Sequence, residues 1–271
     1  MTGSRLRRNI SDIIIQACAL ILALIVVFPV IYCVFAAFKT HAELSYPTLL
    51  PESFGNIENF RNAMRQSPLM RYMLNSFIVS FAGSLVRLVF SVLAAYVFAF
   101  FDFKGKNIVF ILLLGTMMMP GDILLSTNYA TVSHLGLLNT YTGICIVSFV
   151  SASQVFMLRQ KFMTIPRSYV DAARLDGSTD MGILRRILVP LSRPTLITLF
   201  TQSFLTLWNS YLWPLIVTAS KPEYRTIMVG ITKLNSWEDS NYELVLAGVT
   251  ISLIPSLILF IIMHQSFKKA Q

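Results

Sequence analysis

Long runs without charged residues constrain this chain more than any other feature of its sequence. The run over residues 13–38 has no charged side chain, and the run over 72–101 has only Arg87. Further apolar runs cover residues 107–129, 135–158, 194–220 and 244–267. A helix that crosses a bilayer needs about 20 mainly apolar residues at 1.5 Å rise per residue. The sequence therefore predicts an all-α polytopic membrane protein with six transmembrane helices.

Composition and cysteine positions support this prediction. Hydrophobic residues make up 55% of the chain and charged residues only 13%, against roughly 25% charged residues in ordinary soluble domains. These fractions exclude a disordered chain and a small disulfide scaffold, and they argue against a soluble enzyme. Cys18, Cys33 and Cys145 all fall inside apolar runs, so we expect apolar packing there and neither disulfides nor a metal site.

The distribution of Lys and Arg predicts the orientation of the chain. Of the 22 basic residues, 14 fall in segments that lie on one side of the membrane together with both termini, and seven fall in the opposite loops. Basic residues favour the cytoplasmic side, so both termini are predicted to be cytoplasmic. We see no basic stripe interleaved with aromatic residues and therefore expect no nucleic-acid partner. No soluble domain is apparent, and residues 1–271 are predicted to form one transmembrane domain.

One cytoplasmic segment, residues 159–193, is much longer than a simple connection. It contains 35 residues, whereas most helix–helix connections take about 2–8. Its pattern predicts a short helix from Ser168 to Leu175, a left-handed turn at Gly177 and a second helix capped by Ser178, Thr179 or Asp180. A helix this short is not stable alone, so it either lies on the inner membrane face or docks into a soluble partner.

This loop also carries a resemblance to a known family. The residues Asp171-Ala172-Ala173-Arg174-Leu175-Asp176-Gly177, with Ile187, Pro190 and Pro194 behind them, resemble the Glu-Ala-Ala loop of ATP-binding-cassette importer permeases. Trp208-Asn209, the Tyr211–Pro214 stretch and Met118-Met119-Pro120 fit the carbohydrate branch, of maltose or glycerol-3-phosphate type, and its smaller six-span permease. The sequence departs from the pattern at Asp171, where Glu is usual, at Ser178, where Ala is common, and near Thr127, where a second proline is missing.

The resemblance implies a permease subunit that imports a sugar or related polyol across the bacterial inner membrane by alternating access. Such a subunit forms a heterodimer with a second permease in the membrane lipid. It also works with two cytoplasmic ATPase subunits and an extracytoplasmic substrate-binding protein. The resemblance assigns coupling to the ATPase to Asp171, Ala172, Ala173, Arg174, Asp176 and Gly177.

We expect no catalytic residue, and no cofactor, in this chain, so ATP and Mg²⁺ are used by the partner subunits. Gly177 and Gly182 have the glycine spacing of a phosphate-binding loop, but Ile183 and Leu184 follow where Lys and Ser or Thr are required. Hydrolysis is therefore predicted to lie in another polypeptide.

Polar side chains inside the fifth predicted span suggest a substrate path. Thr195, Thr198, Gln202, Thr206, Asn209 and Trp213 fall within about 80° of arc at about 100° per helical residue. Amides on a lipid-facing surface are unfavourable, so this face either forms interhelical hydrogen bonds or lines the path, with Gln202, Thr206, Asn209 and Trp213 as path residues. Arg87, inside the second span, either extends to the inner headgroups or serves as a counter-charge for substrate.

Three alternatives remain open from the sequence. An importer permease of the same family for glycerol-3-phosphate or another phosphate ester is one. An ion-coupled secondary transporter is another, although the spans lack a visible repeat and hold only Asp122, at an edge. A membrane-embedded enzyme is the third, with Asp171, Asp176 and Asp180 as its only acidic cluster.

Overall fold

The computed structural model describes residues 2–46, 48–235 and 241–268, and within these ranges the regular structure is helical. The all-α fold class is thereby confirmed. Glu238 and Asp239, two acidic residues in the sequence before α15, lie outside the described residues. The α-helices are α1 Thr2–Ala36, α2 His41–Leu44, α3 Glu58–Gln66, α4 Leu69–Phe100, α5 Lys106–Gly115, α6 Leu125–His134, α7 Tyr141–Cys145, α8 Ala152–Met163, α9 Arg167–Leu175, α10 Asp180–Ile183, α11 Val189–Leu191, α12 Arg193–Trp208, α13 Leu212–Val217, α14 Ile227–Thr232 and α15 Tyr242–Lys268. Four 3₁₀ turns cover Thr116–Met118, Gly121–Leu124, Ile146–Ser148 and Pro222–Tyr224.

The contacts divide the chain into two compact units. The first unit contains Met1–Pro68 and Ile231–Leu253, and the second contains Leu69–Gly230 and Ile254–Gln271. A single permease domain over residues 1–271 stays a prediction.

Three of the described helices are long and apolar enough to cross a membrane. They are Ile15–Ala36, Leu69–Phe100 and Tyr242–Ile262. A fourth candidate is the pair Tyr141–Ser148 and Ala152–Met163. Together the two helices are long and apolar enough to cross a membrane, but their axes are bent by 54° at the break between them. Six spans therefore stay a prediction, because the remaining predicted spans are built from shorter helices.

Local chemistry explains two of these interruptions. The predicted third span divides at Pro120, between the 3₁₀ turn Thr116–Met118 and the 3₁₀ turn Gly121–Leu124. Proline has no N–H to continue a helical ladder. The predicted fifth span divides after α12, and α13 restarts at Leu212 with Pro214 in its first turn. At both breaks, proline or polar residues interrupt an otherwise apolar run.

In the first unit, buried polar side chains hold the loop that follows α1. Lys39 is fully buried, donates to the backbone oxygen and the hydroxyl of Thr48, and lies over the ring of Tyr32 with Nζ 5.2 Å from its centroid. The Asn59 amide donates to the carbonyls of Ala37 and Lys39 at 2.9 and 2.8 Å. His41 Nδ1 lies 3.1 Å from Glu243 Oε2 at the start of α15. These bonds give the loop a defined structure.

In the second unit, α4 packs against α8 and α12. The face that α4 buries is rich in small and polar residues, and they include Ser76, Ser80, Gly83, Ser84, Ser91, Ala95 and Ala99. Small residues let helix backbones approach closely inside a membrane, where lipid is as apolar as a leucine side chain. At one end of α4, a core of buried side chains joins it to α9 and α10; Ala95, Tyr96, Leu158, Phe162, Val170, Ala173, Ile183 and Leu188 belong to this core.

A single π-helix, Leu184–Leu188, separates α10 from α11 among the described residues. Its i→i+5 bond runs from the N–H of Val189 to the carbonyl of Leu184. A proline ring normally clashes with the carbonyl four residues earlier, and Pro190 lies two residues after this wider turn. From the sequence, Pro190 and Pro194 are expected to close the second loop helix; the structure instead places Pro190 inside α11 and Pro194 in the first turn of α12.

Candidate functional site

The loop helix α9 ends in a turn that depends on glycine. Gly177 has φ = +78°, a left-handed conformation that side chains disfavour. The N–H of Ser178 donates to the carbonyl of Ala173 at 2.9 Å, and the N–H of Gly177 donates to that of Arg174 at 3.0 Å. This pair of bonds is the Schellman motif, which satisfies carbonyls at a helix end. Thr179 then caps α10 by accepting from the N–H of Gly182 at 3.2 Å. The predicted turn and second helix are thus present.

One side of α9 is buried and the other is open. Val170 and Ala173 belong to the core that includes Ile183 and Leu188. The remaining residues assigned to coupling are exposed, namely Asp171, Ala172, Arg174, Asp176 and Gly177. Leu175 is 89% exposed at the tip of the helix. Ala173 therefore packs inward, whereas the rest of the motif and an apolar tip are available to another molecule.

A short polar chain ties α9 and α10 to α4. The hydroxyl of Tyr96 on α4 donates to Asp180 Oδ1 at 2.9 Å, and Arg174 Nη2 lies 3.4 Å from the same oxygen. The Arg174–Asp180 pair is about half exposed, and pairs of this kind contribute only about 0–1 kcal/mol to stability. Its effect is to fix the position of α9 relative to the end of a membrane helix.

The exposed carboxylate of Asp171 has no side-chain hydrogen bond or ion pair within the described part of the chain. It stands beside Ala172, whose side chain leaves room for close approach. Asp171, Ala172 and Leu175 are thus all exposed on α9.

The polar stripe lies on the open face of α12. Apart from Arg193, the exposed residues of this helix are Thr198, Gln202 and Thr206, and Asn209 follows as its C-terminal cap. The hydroxyls of Thr198 and Thr206 donate to carbonyls one turn back, at 3.0 and 2.8 Å. The Gln202 amide has no hydrogen bond to the described residues. Whether this face lines a path stays a prediction.

Two other predicted path residues bond to backbone. Trp213 Nε1 donates to the carbonyl of Ile144 at 3.1 Å, and Arg87 Nε donates to that of Ser148 at 2.5 Å. Both acceptors belong to the first half of the bent pair Tyr141–Ser148 and Ala152–Met163. The structure therefore groups Arg87 with Trp213, apart from the open face formed by Thr198, Gln202 and Thr206.

Sequence reasoning missed the buried amide of Gln154, which is 3% exposed. Its Nε2 donates to the Leu199 carbonyl at 2.9 Å and to Ser203 Oγ at 2.5 Å, and its Oε1 accepts from Ser91 at 3.4 Å. It thereby joins α4, α8 and α12. An isolated amide inside an otherwise apolar run was the available signal, because such groups inside a membrane need partners.

No group of three or more His, Cys, Asp or Glu side chains that could hold a metal ion occurs in the described parts of the chain. Cys18, Cys33 and Cys145 are free thiols, and Cys145 is buried. Cys145 Sγ lies 3.5 Å from the carbonyl of Val79 on α4, so this cysteine contributes to helix packing.

Comparison with known proteins agrees with this arrangement. Residues 1–270 match a family described as a binding-protein-dependent transport system inner membrane component. The chain is 33% identical over 250 residues to the arabinooligosaccharides transport system permease protein AraQ of Halalkalibacterium halodurans, covering 91% of this chain and 89% of that protein. It is 30% identical over 274 residues to the sn-glycerol-3-phosphate transport system permease protein UgpE of Brucella melitensis, covering 97% and 96%.

A solved structure supports the fold independently. A chain from the crystal structure of a bacterial ABC transporter involved in the import of the acidic polysaccharide alginate superposes with a TM-score of 0.80. The match covers 98% of both chains at 21% sequence identity. At this identity the likeness supports a shared fold.

Proposed function

Because the chain belongs to the family of binding-protein-dependent transport system inner membrane components, we propose that it imports a sugar or related polyol by alternating access. In this proposal a substrate-binding protein delivers the substrate, and a second permease completes the membrane path. ATP binding closes two ATPase subunits, whose motion is received by α9. The chain itself hydrolyses nothing.

The observation that carries the proposal is the divided surface of the loop helix. Val170 and Ala173 fix α9 to the core that contains the end of α4, while Asp171 and Leu175 point away from it. A displacement of α9 by a protein bound to its exposed side would therefore be transmitted to α4 through packed side chains and through the Tyr96–Asp180 hydrogen bond. Packed interiors resist compression, so such a connection moves as one piece.

The similarity to a glycerol-3-phosphate permease favours a second substrate class, a phosphate ester. Arg87 would be the natural counter-charge for a phosphate, but its Nε donates to the Ser148 carbonyl. The stripe on α12 offers hydroxyls and amides, which suit sugar hydroxyls better than a dianion. We therefore place the neutral sugar or polyol first.

The coupling role is tested in proteoliposomes that contain the permease pair, its ATPases and its binding protein. Gly177→Val forces a β-branched residue into the left-handed region, and Asp171→Arg reverses the unused acid. Both variants should assemble, retain basal ATP hydrolysis and reduce ATP-driven uptake of labelled arabino-oligosaccharide or glycerol-3-phosphate at least tenfold.

Two matched substitutions control for general damage. Gly136 also has a positive φ, +68°, in an open turn outside the loop, so Gly136→Val should spare coupling. Glu52 is another exposed acid, so Glu52→Arg controls for charge reversal. Normal uptake by both loop variants would show that α9 is not the coupling element. Preferred uptake of glycerol-3-phosphate would replace the sugar by a phosphate ester.

Cytoplasmic termini and a cytoplasmic loop form part of the same proposal, supported by the distribution of Lys and Arg. In a background without the three native cysteines, Ser168→Cys should react with an impermeant maleimide only from the cytoplasmic side. Ser220→Cys, also at an exposed position, should react only from outside. Labelling of Ser168→Cys in intact cells would reverse the proposed topology.

The polar face of α12 is proposed to point into the permease pair. Gln202→Leu should lower uptake at least fivefold, whereas Gln160→Leu, at an exposed amide on α8, should not. If Gln202 lines the path, co-purification with the second permease survives the substitution. If it joins the two permeases, co-purification and uptake fall together. Full activity of Gln202→Leu would exclude both roles.

A further inference from the structure

The bent pair contains a break that no proline or glycine explains. The 3₁₀ turn Ile146–Ser148 ends α7, and α8 begins at Ala152 after the extended residue Ser151. The intervening residues are Phe149 and Val150, both compatible with a helix. Sharp bends usually follow from proline, glycine pairs, π-bulges or an inserted side chain. Here side chains from neighbouring helices bond to backbone carbonyls just before the break.

Before the break, two donors satisfy carbonyls of the first half. In a continuous helix the Ser148 carbonyl would accept from the N–H of Ala152, but Ala152 starts a new helix. Arg87 Nε on α4 takes that position, and Trp213 Nε1 from α13 donates to the Ile144 carbonyl. An unsatisfied carbonyl at membrane depth costs several kcal/mol in general, by order of magnitude, so these donors stabilise the broken geometry.

After the break, a second set of bonds holds the other half. Ser151 caps α8 by accepting from the N–H of Gln154, and the Gln154 side chain bonds to Ser203 on α12 and to Ser91 on α4. Ser91 lies one helical turn from Arg87 on the same helix. The single helix α4 therefore contacts both halves of the bent pair: Arg87 bonds to the first half and Ser91 bonds to the second.

A pocket lies beside the break. It is apolar, partly open to the surface and about 120 Å³ in volume, and Val79, Gly83, Cys145 and Phe149 are among its lining residues. Phe149, at the break itself, borders this pocket on one side and packs against the cluster of Val79, Ile144, Cys145 and Val217 on another. Hinges commonly use a few residues at the ends of elements that absorb changes in backbone angles.

We propose that residues 149–151 form a hinge whose bend changes during the transport cycle, and that Arg87 and Trp213 are the positioning residues that set it. This inference rests on the proposed permease function. It also reassigns Arg87 and Trp213 from contact with substrate to control of the bend.

The test uses the complete transporter in nanodiscs, with nitroxide labels at Thr142 and Gln160 in a cysteine-free background. Both positions are exposed and lie on opposite sides of the break. The distance distribution should differ between the nucleotide-free state and the state trapped with ATP, Mg²⁺ and vanadate, in which ADP and vanadate occupy the ATPase sites. Labels at Phe77 and Leu93, both exposed on the continuous helix α4, should keep one distance in both states.

Three variants identify the residues responsible. Arg87→Met should shift or broaden the Thr142–Gln160 distance without nucleotide, and Arg87→Lys, which keeps a donor, should restore it. Trp213→Phe keeps an aromatic side chain but replaces the indole and so removes Nε1, and should broaden the distribution even if Arg87→Met does not assemble. An identical distance in both nucleotide states would overturn the hinge. A wild-type distance in both Arg87→Met and Trp213→Phe would overturn the role of these side chains.

The proposed function has a separate readout in the same preparation. Binding of the ATPase subunits should protect Ser168→Cys on α9 from maleimide. Protection together with an unchanged Thr142–Gln160 distance refutes the hinge alone. Loss of protection refutes the coupling proposal itself.

Discussion

Helices α1 and α4 are both long, apolar and almost free of charge in their membrane segments, yet they differ in packing. The stretch Ile15–Ala36 has a mean hydropathy of 2.9, and no residue of its most apolar 18-residue segment is buried. The stretch Leu69–Phe100 has a lower mean hydropathy, 2.1, and 28% of the residues in its most apolar 18-residue segment are buried. The less apolar helix is thus the more packed one. In a membrane, burial follows small and polar residues that permit close approach and hydrogen bonding, not hydropathy.

The strongest test of this comparison introduces bulk into the packed helix. A Cβ atom added at Gly83 would lie 2.8 Å from Leu207 Cδ1. Gly83→Leu should therefore lower the free energy of unfolding by about 3 kcal/mol, measured by SDS titration in mixed micelles. Gly115 has open space around it, so Gly115→Leu should change little. Equal losses in both variants would mean that close packing does not distinguish α4.

The next largest effect should come from the amide that joins α4, α8 and α12. Gln154→Leu leaves the Ser203 hydroxyl and the Leu199 carbonyl without their partner, which should cost about 2 kcal/mol of unfolding free energy. Gln160→Leu, two turns along the same helix and exposed, serves as the control. A stable Gln154→Leu variant would show that hydrogen bonds are not needed to hold these helices together.

A smaller effect of opposite sign is expected at Ser84. Its hydroxyl is buried and has no hydrogen-bond partner among the residues that the structure describes, so Ser84→Ala should raise the free energy of unfolding by about 1 kcal/mol. Ser126→Ala, at an exposed position, should leave it unchanged. Destabilisation by Ser84→Ala would indicate that the hydroxyl gains a partner in the bilayer and would sharpen the view of α4 as a polar interface.

The smallest effect should occur in α1. Leu24 is 58% exposed and Leu69, on α4, is 0% exposed. Leu24→Ala should change the unfolding free energy by less than about 0.5 kcal/mol, whereas Leu69→Ala should cost about 2–5 kcal/mol. The two variants make the same Leu→Ala change, at an exposed position of α1 and at a buried position of α4. A loss of 2 kcal/mol or more for Leu24→Ala, by the order of magnitude of core truncations, would contradict the difference between the two helices.

The sequence predicted the features that depend on local chemistry. Charge-free runs predicted a helical membrane protein, Gly177 predicted the left-handed turn, and Thr179 was among the expected caps. These predictions succeed because backbone conformation and short-range hydrogen bonds involve residues close together in the chain. The same reasoning located α9 to within one residue of its observed start at Arg167.

The features that escaped prediction depend on residues far apart in the chain. Nothing local marks a break at Phe149, which becomes evident only when Arg87 is seen to donate to Ser148, 61 positions away in the sequence. Similarly, Tyr96 bonds to Asp180 across 84 positions. A single sequence lists such polar residues without pairing them. Their occurrence inside or beside apolar runs signals a partner but does not identify it.

The π-helix before Pro190 also determines the direction in which the exposed side of α9 faces. A turn of this kind holds one residue more than an α-helical turn, and each residue in a helix corresponds to a rotation of about 100°. Deleting Ile187 would therefore restore α-helical phase across this segment and turn the side that α9 presents by roughly a quarter of a revolution. The angular setting of α9 relative to α12 thus depends on a single inserted residue, and a one-residue deletion would rotate α9 while leaving every residue of α9 itself unchanged.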